Sequence, residues 1–429
     1  MSENGRRRGQ LSHGNLARKD KELYMLAAQI QEYLYFPTPE PLYVVLGTLA
    51  ANIMMGKPVW TMLVGAPSAG KTILLDTLTQ VAKVHVMGDI RGPAALLSGS
   101  AEKDISASST GGMLREVGER GMMVIKDFTS ILSLPRDPLK EIVSAMRYVY
   151  DGYYKRTVGS DGGKNLHWWG RIGFLGASTP AIDRHQVTIG ELGERFVFYR
   201  YAETDGYGES MAALNTKDPE FMMEQLRKHV HQFVIGIGLK WGKKNKVTDM
   251  YEDEEKTRDL TSHEKNRLFH IGAMGAALRS VVPRDMYRKD VSDISTKETP
   301  TRMVTSLSQL YLGLERIGLD ENERWEIIGK MALDSAPQVR SRMLMLLKNR
   351  SMNGNGLVGE HLKMMLKCST RIVSDVIEDM HVNEIVELEQ HKESRMDSES
   401  VHLTTYVKLT EWAREQLELG WKKGKDELR

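Results

Sequence analysis

One short segment, residues 65–72 (GAPSAGKT), constrains this chain more than any other part of it. It fits the pattern G-x-x-x-x-G-K-[ST] at every fixed position. A mostly apolar run at residues 60–64 precedes it, and an apolar run with helical spacing begins at Ile73. A phosphate-binding loop requires this strand–loop–helix context, so the sequence predicts an α/β fold built around a nucleotide site. The alternative is a glycine-rich turn that matches the pattern by chance.

The chemistry of such a loop assigns a role to each of its residues. Glycines let the backbone approach an anion closely, so that successive N–H groups point at phosphates, and the following helix presents its positive end to the same charge. Lys71 is expected to reach the β- and γ-phosphates of ATP, and the Thr72 hydroxyl is expected to bind Mg²⁺. The predicted ATP·Mg²⁺ site consists of Gly65, Ala66, Pro67, Ser68, Ala69, Gly70, Lys71 and Thr72.

The composition indicates which class of protein this is, but it says little about which partners the protein binds. With 429 residues, 41% of them hydrophobic, the chain is long enough for two or three domains. The formal net charge of +2 indicates no general affinity for nucleic acid, so any basic site must be local. The single cysteine, Cys368, excludes a disulfide within the chain, and the longest apolar run, residues 42–55, is too short to cross a bilayer. These features favour a cytoplasmic protein without a membrane segment.

A second apolar run carries the acid that a nucleotide site needs. Residues 122–125 are apolar, and Lys126, Asp127 and Phe128 follow them. A carboxylate at the end of a core strand holds Mg²⁺, directly or through water, or orients the attacking water. Asp127 is therefore the predicted catalytic and metal-binding carboxylate. A buried strand that happens to end in aspartate is the alternative.

Two strand-forming segments around a turn predict a β-hairpin at residues 153–170. The turn contains Gly159 and the sequence DGG at residues 161–163, which places Lys164 near the tip. Cations and rings together suit a single-stranded nucleic acid, and the hairpin offers Lys155, Arg156, Lys164, His167, Trp168 and Trp169. The alternative is that both tryptophans belong to the core and that the cations are merely exposed.

The segment from residue 321 onward has the element order of a winged helix-turn-helix: three helices, a strand, a polar loop, a strand and a last helix. The recognition helix would begin at Ser369 with Arg371 pointing outward, and Lys392 and Arg395 would lie in the wing loop. The recognition helix also carries acids that repel phosphate: Asp375, Glu378 and Asp379. A winged helix that contacts protein is therefore the alternative.

The order of these motifs resembles that of one group of AAA+ ATPases, the MCM-type replicative helicases, which insert a β-hairpin before the third core strand. The resemblance covers about residues 45–205 and, more loosely, the C-terminal winged helix. Besides the nucleotide loop, IKDF at residues 125–128 resembles the family's I-D-E-F, and ASTP at residues 177–180 resembles its A-A-N-P. LGERF at residues 192–196 resembles its L-x-x-R-F. The same set is associated with uncharacterised ATPases of phages and mobile elements.

The resemblance implies roles for residues outside the loop. Thr179 takes the place of the polar residue that senses the γ-phosphate, and Lys164 that of a lysine that grips single-stranded DNA. Arg195 takes the place of the finger that acts on the ATP of a neighbouring subunit, which implies a ring, expected to be a homo-hexamer. Its alternative is a surface arginine paired with nearby glutamates. A lid arginine is also implied, with Arg267 and Arg302 as candidates.

One departure from the family pattern concerns the metal. Lys126 stands where the family has its first Walker B acid, so Asp127 is expected to act alone, or Mg²⁺ to be held mainly through Thr72 and water. Thr179 also offers a shorter hydroxyl in place of an amide.

Together these inferences predict a chain of four parts. They are a flexible basic arm at residues 1–20, an AAA+ nucleotide-binding core at 21–205, a helical lid or linker region at 206–320 and a winged-helix domain at 321–429. The expected function is an ATP-dependent DNA motor, a helicase or translocase, in replication of a phage or mobile element, with replication proteins as further partners. Two alternatives remain open: an ATP-switched DNA-binding regulator, and a helicase loader that acts on a protein.

Overall fold

The centre of the molecule is a five-stranded parallel sheet, which confirms the α/β prediction. In spatial order its strands are β2 (Val84–Met87), β3 (Arg120–Ile125), β6 (Arg171–Ser178), β1 (Trp60–Val64) and β7 (Phe196–Arg200). The computed structural model of the chain describes residues 13–88, 90–98, 111–158, 164–190, 195–203, 206–245, 248, 251–252, 254–285, 290–292, 298–351, 356–394 and 401–421. Within these ranges no helix has the length and apolar character needed to cross a membrane.

Helices flank the sheet and continue beyond it. In the described ranges they are α1 (His13–Gln31), α2 (Glu40–Ile53), α3 (Lys71–Asp76), α4 (Pro93–Leu96), α5 (Met113–Val117), α6 (Phe128–Leu132), α7 (Arg136–Tyr150), a 3₁₀ helix (Pro180–His185), α8 (Gln186–Gly190), α9 (Tyr207–Asn215), α10 (Pro219–Gly236), α11 (Ser262–Arg279), α12 (Thr301–Arg316), α13 (Glu321–Asp334), α14 (Gln338–Ser351), α15 (Gly359–Leu366), α16 (Thr370–Val382) and α17 (Glu411–Gly420).

Alternation along the strands divides the core into two layers. Trp60, Met62 and Val64 of β1 pack with α6 and α7 on one face, whereas Leu63 packs with α2 and α3 on the other. Because successive side chains of a strand point to opposite faces, a parallel strand that is apolar throughout must be covered on both sides. The continuous apolar character of residues 60–64 therefore follows from the position of β1 within the sheet.

The register of the sheet brings the ends of three strands together at one edge. Val64 is paired with Ser178 of β6 and with Arg200 of β7, so the carboxyl ends of these strands lie side by side. In open parallel sheets, ligands bind in the crevice outside the carboxyl ends of the strands. We call this the carboxyl edge of the sheet. The loop at residues 65–72 leaves from it.

The predicted hairpin is confirmed as two antiparallel strands, β4 (Tyr153–Val158) and β5 (Lys164–Trp169), with Tyr153 opposite Trp169. Residues 159–163, the predicted turn, lie outside the described residues. One face of the hairpin is packed on the core, and Trp168 on that face is only 5% exposed. Trp169 on the other face is 60% exposed. The prediction that both tryptophans could be core residues therefore holds for Trp168 alone.

The helical region after the sheet packs directly onto the part of the chain that contains the sheet. Helix α12 crosses α2 at two glycines so closely that a Cβ on Gly313 would lie 2.3 Å from the carbonyl oxygen of Gly47. Gln309 of α12 donates to the carbonyl oxygen of Ala51 at 2.9 Å. The elements of the predicted lid thus share one hydrophobic core with α2. A small antiparallel pair, β8 (Lys243–Lys244) and β9 (Tyr251–Glu252), lies between α10 and α11.

The C-terminal part contains a three-stranded antiparallel sheet in the order β10 (Leu357–Val358), β12 (Val401–Leu409) and β11 (Val386–Ser394). The two long strands and the last helix lie where they were predicted, but four helices and not three precede β11, and the short strand β10 between α14 and α15 was not predicted. Strand β11 continues to Ser394, so Lys392 lies in the strand, opposite Leu403, and not in the wing loop. Arg395 lies outside the described residues.

The helix after the phosphate loop is also shorter than its apolar spacing predicts. It was expected to continue to about residue 82, and it ends at Asp76. The Thr77 hydroxyl donates to the carbonyl oxygen of Leu74 at 2.7 Å, and the Thr79 hydroxyl donates to that of Asp76 at 2.9 Å. Threonine hydroxyls that bond to nearby carbonyls compete with helical hydrogen bonding, which accounts for the early end.

Candidate functional site

The loop at residues 65–72 has a backbone shaped to receive an anion. Its start is fixed by a hydrogen bond from the N–H of Gly65 to the carbonyl oxygen of Ser178 at 3.2 Å. Gly70 adopts a left-handed conformation, with φ of 74°, immediately before helix α3. Among the described residues, the N–H groups of Gly70, Lys71 and Thr72 have no hydrogen-bond acceptor. Consecutive N–H groups at a helix start form a concave site for phosphate.

Lys71 is buried at this loop, with 7% of its surface exposed. Its ammonium group donates to the carbonyl oxygens of Gly65 at 2.8 Å and Ala66 at 2.5 Å. Burial lowers the pKa of Lys71, and the nearby Asp127 carboxylate opposes that change. The lysine therefore lies folded over its own loop, and its charge interacts with the predicted catalytic acid.

Asp127 lies just beyond β3 and not within it. The strand ends at Ile125, and Asp127 caps helix α6 by accepting a hydrogen bond from the N–H of Thr129 at 2.9 Å. Thr129 in turn accepts a hydrogen bond from the N–H of Thr179 at 3.1 Å. Asp127 and Thr179 thus lie at the carboxyl edge, linked through Thr129. The sequence analysis did not identify Thr129, although its place two residues after an aspartate is typical of a capped helix start.

Lys126 has a partner that the sequence did not indicate. It forms an ion pair with Asp76, the last residue of α3. Asp76 follows Thr72 by four residues, so both lie on the same side of that helix. The lysine that stands in place of an acid is therefore neutralised by an acid from the helix of the phosphate loop.

The donor set of this edge fits a magnesium ion delivered with a nucleotide. Thr72 supplies one hydroxyl and Asp127 one carboxylate. Within the described ranges, no group of three or more histidine, cysteine or acidic side chains is placed to hold a metal. Mg²⁺ keeps several water ligands and is commonly bound through one or two protein oxygens together with substrate phosphates. The residues present therefore suit Mg²⁺ only in company with a phosphate ligand.

A cavity of about 270 Å³ opens beside the loop. Its wall includes Phe36 and Tyr201, whose ring centroids are 6.5 Å apart, together with Gly65 and Ala66. A second cavity of about 250 Å³, lined by Tyr35, Ser68 and Gly70 among others, lies on the other side of the loop and is covered by α9. We call the first of these the loop cavity. The sequence analysis interpreted the segment around Phe36 only as a helix end and linker.

A buried arginine from the end of β7 lines the loop cavity. Arg200 donates to both carboxylate oxygens of Asp183, at 2.6 and 3.2 Å, and to the carbonyl oxygen of Asp334 at 2.8 Å. Burial raises the pKa of Asp334, and the neighbouring Lys330 and Arg200 oppose this effect. The network fixes the position of the Arg200 guanidinium group at the carboxyl edge and balances its charge with Asp183. In the sequence, the only indication of a role for Arg200 was its position at the end of a core strand.

Neither predicted lid arginine lines a cavity beside the phosphate loop. Arg267 stacks over the ring of Trp325 at 4.4 Å and donates to the carbonyl oxygen of Gly420 at 3.0 Å. Arg302 lies exposed in the first turn of α12. In this chain, therefore, neither arginine lies at its own phosphate loop, and the assignment of a lid arginine stays a prediction.

Arg195 lies at the amino end of β7, the opposite edge of the sheet from the phosphate loop. It is 3% exposed, donates to Asp151 at 2.7 Å and lies over the ring of Tyr150 at 5.4 Å. The expectation of a surface arginine is therefore wrong for the isolated chain. The glutamates proposed as its alternative partners, Glu191 and Glu194, lie outside the described residues.

The predicted nucleic-acid contacts on the hairpin separate by face. Lys155 is exposed on the outer face, whereas Arg156 lies on the inner face and donates to the carbonyl oxygen of Leu97 at 2.9 Å. The two cations therefore lie on opposite faces of the hairpin, and their contact with nucleic acid stays a prediction. Lys164 is the first residue of β5, and its side chain is not among the described parts of the structure.

The acids of α16 are used within the fold. Arg284 pairs with Glu378 at 2.7 Å and with Asp379 at 2.6 Å, and Arg340 pairs with Asp379 at 2.7 Å. Arg371 is exposed at the start of α16, and Lys392 is exposed on β11. The predicted repulsion of phosphate by this helix is thus reduced by partners that were distant in sequence.

Comparisons with known proteins find only solved structures with low similarity to this chain. No protein-family model and no curated protein matches the sequence. Among solved structures, a full-length MCM homologue from Methanopyrus kandleri aligns with a TM-score of 0.39 and 13% identity, over 76% of this chain and 62% of that one. The apo A form of the NrS-1 C-terminal region aligns with a TM-score of 0.26 and 10% identity, over 91% of this chain and 76% of that one. The chain thus spans less than two thirds of the length of the MCM homologue.

Proposed function

We propose that this protein binds and hydrolyses ATP at the carboxyl edge of its parallel sheet. One observation carries the proposal: Lys71 lies folded over a loop in which the N–H groups of Gly70, Lys71 and Thr72 have no acceptor among the described residues. A phosphate group would take up those N–H groups and would replace the carbonyl oxygens that now accept from Lys71. The loop cavity offers the rings of Phe36 and Tyr201 beside it, which suits the base of a nucleotide.

The strand order supports assignment to the AAA+ class. Strand β6 lies between β1 and β3, and the β4–β5 hairpin precedes β6 in the chain. We assign the core to the MCM-type group with an inserted hairpin. The C-terminal part is assigned to the winged helices, because α14, α15 and α16 accompany an antiparallel sheet whose strands β11 and β12 form a long hairpin. Each of these assignments rests on topology.

The residues at the site divide the chemistry of hydrolysis among them. Lys71 would neutralise charge on the transferred phosphoryl group, and Thr179 would contact the γ-phosphate. Asp127 would orient the attacking water and accept its proton. Held through Thr72 and Asp127, Mg²⁺ would supply charge neutralisation between the phosphates. Arg200 provides fixed N–H donors in the same subunit, with its charge balanced by Asp183.

A ring is proposed from the place of Arg195. It lies at the edge of the sheet remote from its own phosphate loop, and if a neighbouring subunit drew it away from Asp151, the ATP it would reach is that of the neighbour. A finger of this kind stabilises charge that spreads over the phosphoryl oxygens in the transition state. We propose a homo-hexamer that moves along DNA, as a helicase or translocase in replication of a phage or mobile element.

A DNA-binding regulator remains the second candidate, because one observation favours it. The acids of α16 are paired with Arg284 and Arg340, which leaves exposed Arg371 at the start of that helix for a duplex groove. A regulator would bind one duplex sequence and would hydrolyse ATP at the same rate with or without single strands. A motor would be stimulated by single strands and would lose that stimulation at high salt.

The test compares Lys71→Ala with Lys57→Ala. Lys57 is an exposed lysine in the turn before β1, away from the carboxyl edge. We expect Lys71→Ala to abolish binding of a fluorescent ATP analogue and ATP turnover, and Lys57→Ala to change neither. Turnover should be measured without DNA, with single strands and with duplex, and the mass of the assembly with and without nucleotide. Unchanged nucleotide binding in Lys71→Ala would refute the loop assignment.

A further inference from the structure

Helix α9, beside the phosphate loop, turns its large apolar side chains to solvent. Tyr207, Met211 and Leu214 are 70%, 38% and 78% exposed. Their spacing of four and then three residues places them on one side of the helix. All nine residues of α9 belong to the described part of the chain, and none of them is buried. We call the side formed by Tyr207, Met211 and Leu214 the outer face of α9.

The opposite side of α9 is turned toward the two cavities that flank the phosphate loop. Glu209 lines both cavities, and Ala212 and Ala213 line the second one. Because an α-helix makes one turn in about 3.6 residues, these three positions lie across the helix from the outer face. A Cβ on Gly208 would lie 2.3 Å from the ring of Tyr35, so α9 rests directly on that ring.

This arrangement reverses the usual orientation of a surface helix. Helix α7 has the ordinary one, because its apolar residues, Leu139, Ile142 and Met146 among them, are buried. A surface helix normally turns its apolar stripe toward the core of its own domain. Helix α9 instead turns small residues and an acid toward the cavities. A group of exposed apolar side chains of this kind marks a surface that another molecule covers.

The chemistry of the outer face suits a protein and not a nucleic acid. None of its three side chains is charged, and Ser210 beside them is neutral as well. A nucleic acid would find no cation there to neutralise its phosphates. The centre of a protein interface, by contrast, is depleted in charged residues and enriched in tyrosine and methionine.

We propose that the outer face of α9 packs against a second copy of this chain. The inference rests on the proposed function, in which a neighbouring subunit lies beside the phosphate loop, the same place where α9 stands. A nucleotide in the cavities would support α9 from within, because the helix has no buried residue of its own to do so. Contact between subunits is therefore expected to be stronger when nucleotide is bound.

The double variant Met211→Ser with Leu214→Ser tests this face on the full chain. The mass is measured over a range of protein concentrations, with and without an ATP analogue that is not hydrolysed. We expect the concentration at which half of the assembly dissociates to rise at least about tenfold, since burial of large apolar side chains contributes that factor or more. Met364→Ser, at a residue of α15 that is 70% exposed, is the matched control and should keep the mass. Both variants should bind the analogue, because neither changes a residue that lines the cavities.

A photo-activated cross-linker identifies the molecule that covers α9. It is attached to Leu214→Cys in a chain whose native thiol is removed by Cys368→Ser. Cross-links between two copies of this chain support the proposal, and the same label on Met364→Cys should give few. Unchanged dissociation of the double variant overturns the proposal. So does a wild-type chain that stays monomeric with nucleotide, which would assign the outer face to another protein.

Binding of the ATP analogue to the wild-type protein is measured separately. Protein that assembles through α9 but binds no nucleotide would refute the proposed function and leave the contact between copies standing. Protein that binds nucleotide and assembles equally well with and without the α9 substitutions would refute this inference alone.

Discussion

Lys126 and Asp76 form an ion pair at the carboxyl edge of the sheet, between the end of β3 and the end of the helix that follows the phosphate loop. Both side chains are partly buried. Among the described ion pairs this is the one that involves Lys126, so Asp76 neutralises the charge of that lysine. Lys126 stands where the motif that the sequence resembles has an acid. Beside the phosphate loop, Asp127 therefore lies close to Lys71, whereas Asp76 is already paired with Lys126.

We expect Lys126→Asp to lower the free energy of unfolding by about 1 kcal/mol or somewhat more, because it replaces an attraction with repulsion from Asp76 and Asp127. The exposure of Lys126 and the resulting screening limit the effect. Urea unfolding of the nucleotide-free protein measures it. The exchanged pair, Asp76→Lys with Lys126→Asp, restores the attraction and should recover most of the loss. An exchanged pair no more stable than Lys126→Asp would contradict the electrostatic explanation.

We expect the affinity for ATP to fall at alkaline pH because Lys71 loses its proton. Burial lowers the pKa of Lys71 in the free protein, and phosphate charge beside the ammonium group raises it again. Binding therefore takes up a proton once the pH exceeds the lowered pKa. The affinity for ATP is therefore independent of Lys71 at lower pH, and it falls as the pH rises through the pKa that Lys71 has in the free protein.

Titration of a fluorescent ATP analogue between neutral and alkaline pH measures this decline. Lys71→Arg is the matched variant, because a guanidinium group stays protonated throughout that range. Its affinity is expected to be lower, since the planar group fits the loop less well, but nearly constant with pH. The same alkaline decline in both proteins would show that another group is responsible.

The parts of the site predicted from the sequence are those specified by local pattern. The apolar run at residues 60–64 and the glycines after it indicate the strand and the loop, because strand formation and a left-handed Gly70 are local requirements. The hairpin at residues 153–170 was likewise predicted from its turn residues and its strand-forming arms. Alternation within it also contained the signal that separates Lys155 from Arg156, since neighbours in a strand point to opposite faces.

The parts that were missed depend on partners far apart in the sequence. Asp76 pairs with Lys126, Asp151 with Arg195, and Asp379 with both Arg284 and Arg340. Nothing in the residues around an arginine or lysine specifies which distant acid it meets. Such pairs are a result of the fold, so a charged side chain predicted to face solvent or ligand can instead be occupied within the protein.

Glu264 is expected to stabilise helix α11 in a pH-dependent way. Hydrogen bonds from Arg258 hold the pKa of Glu264 at about 2, below its ordinary 4.5, and its carboxylate also accepts from the N–H of Thr261 in a capping box. A lowered pKa means that the stabilisation is present above about pH 4.5 and is lost as the pH falls toward 2. We expect Glu264→Gln to cost about 2 kcal/mol at neutral pH, allowing for screening at the exposed Arg258.

The difference in unfolding free energy between wild type and Glu264→Gln, measured in urea at several pH values, checks this expectation. It should shrink below pH 4.5 as the wild-type carboxylate becomes protonated. Glu326→Gln, at an exposed position of α13, is the control and should change stability little at any pH. A difference that stays constant down to the lowest pH would indicate that packing, and not charge, is what the substitution removes.

Arg195 is expected to act on the ATP of a neighbouring subunit, and complementation between two inactive variants tests this. Lys71→Ala lacks a working loop but keeps Arg195, whereas Arg195→Ala keeps the loop but lacks the finger. Mixed in equal amounts, they should recover about a quarter of the wild-type rate. In a random ring about half of the loops are intact, and about half of these face a neighbour with an intact finger, so roughly a quarter of the sites are complete. Arg147→Ala, at an exposed position of α7, is the control and should be active alone. No recovery in mixed assemblies of unchanged mass would mean that Arg195, buried against Asp151, serves the fold of its own subunit.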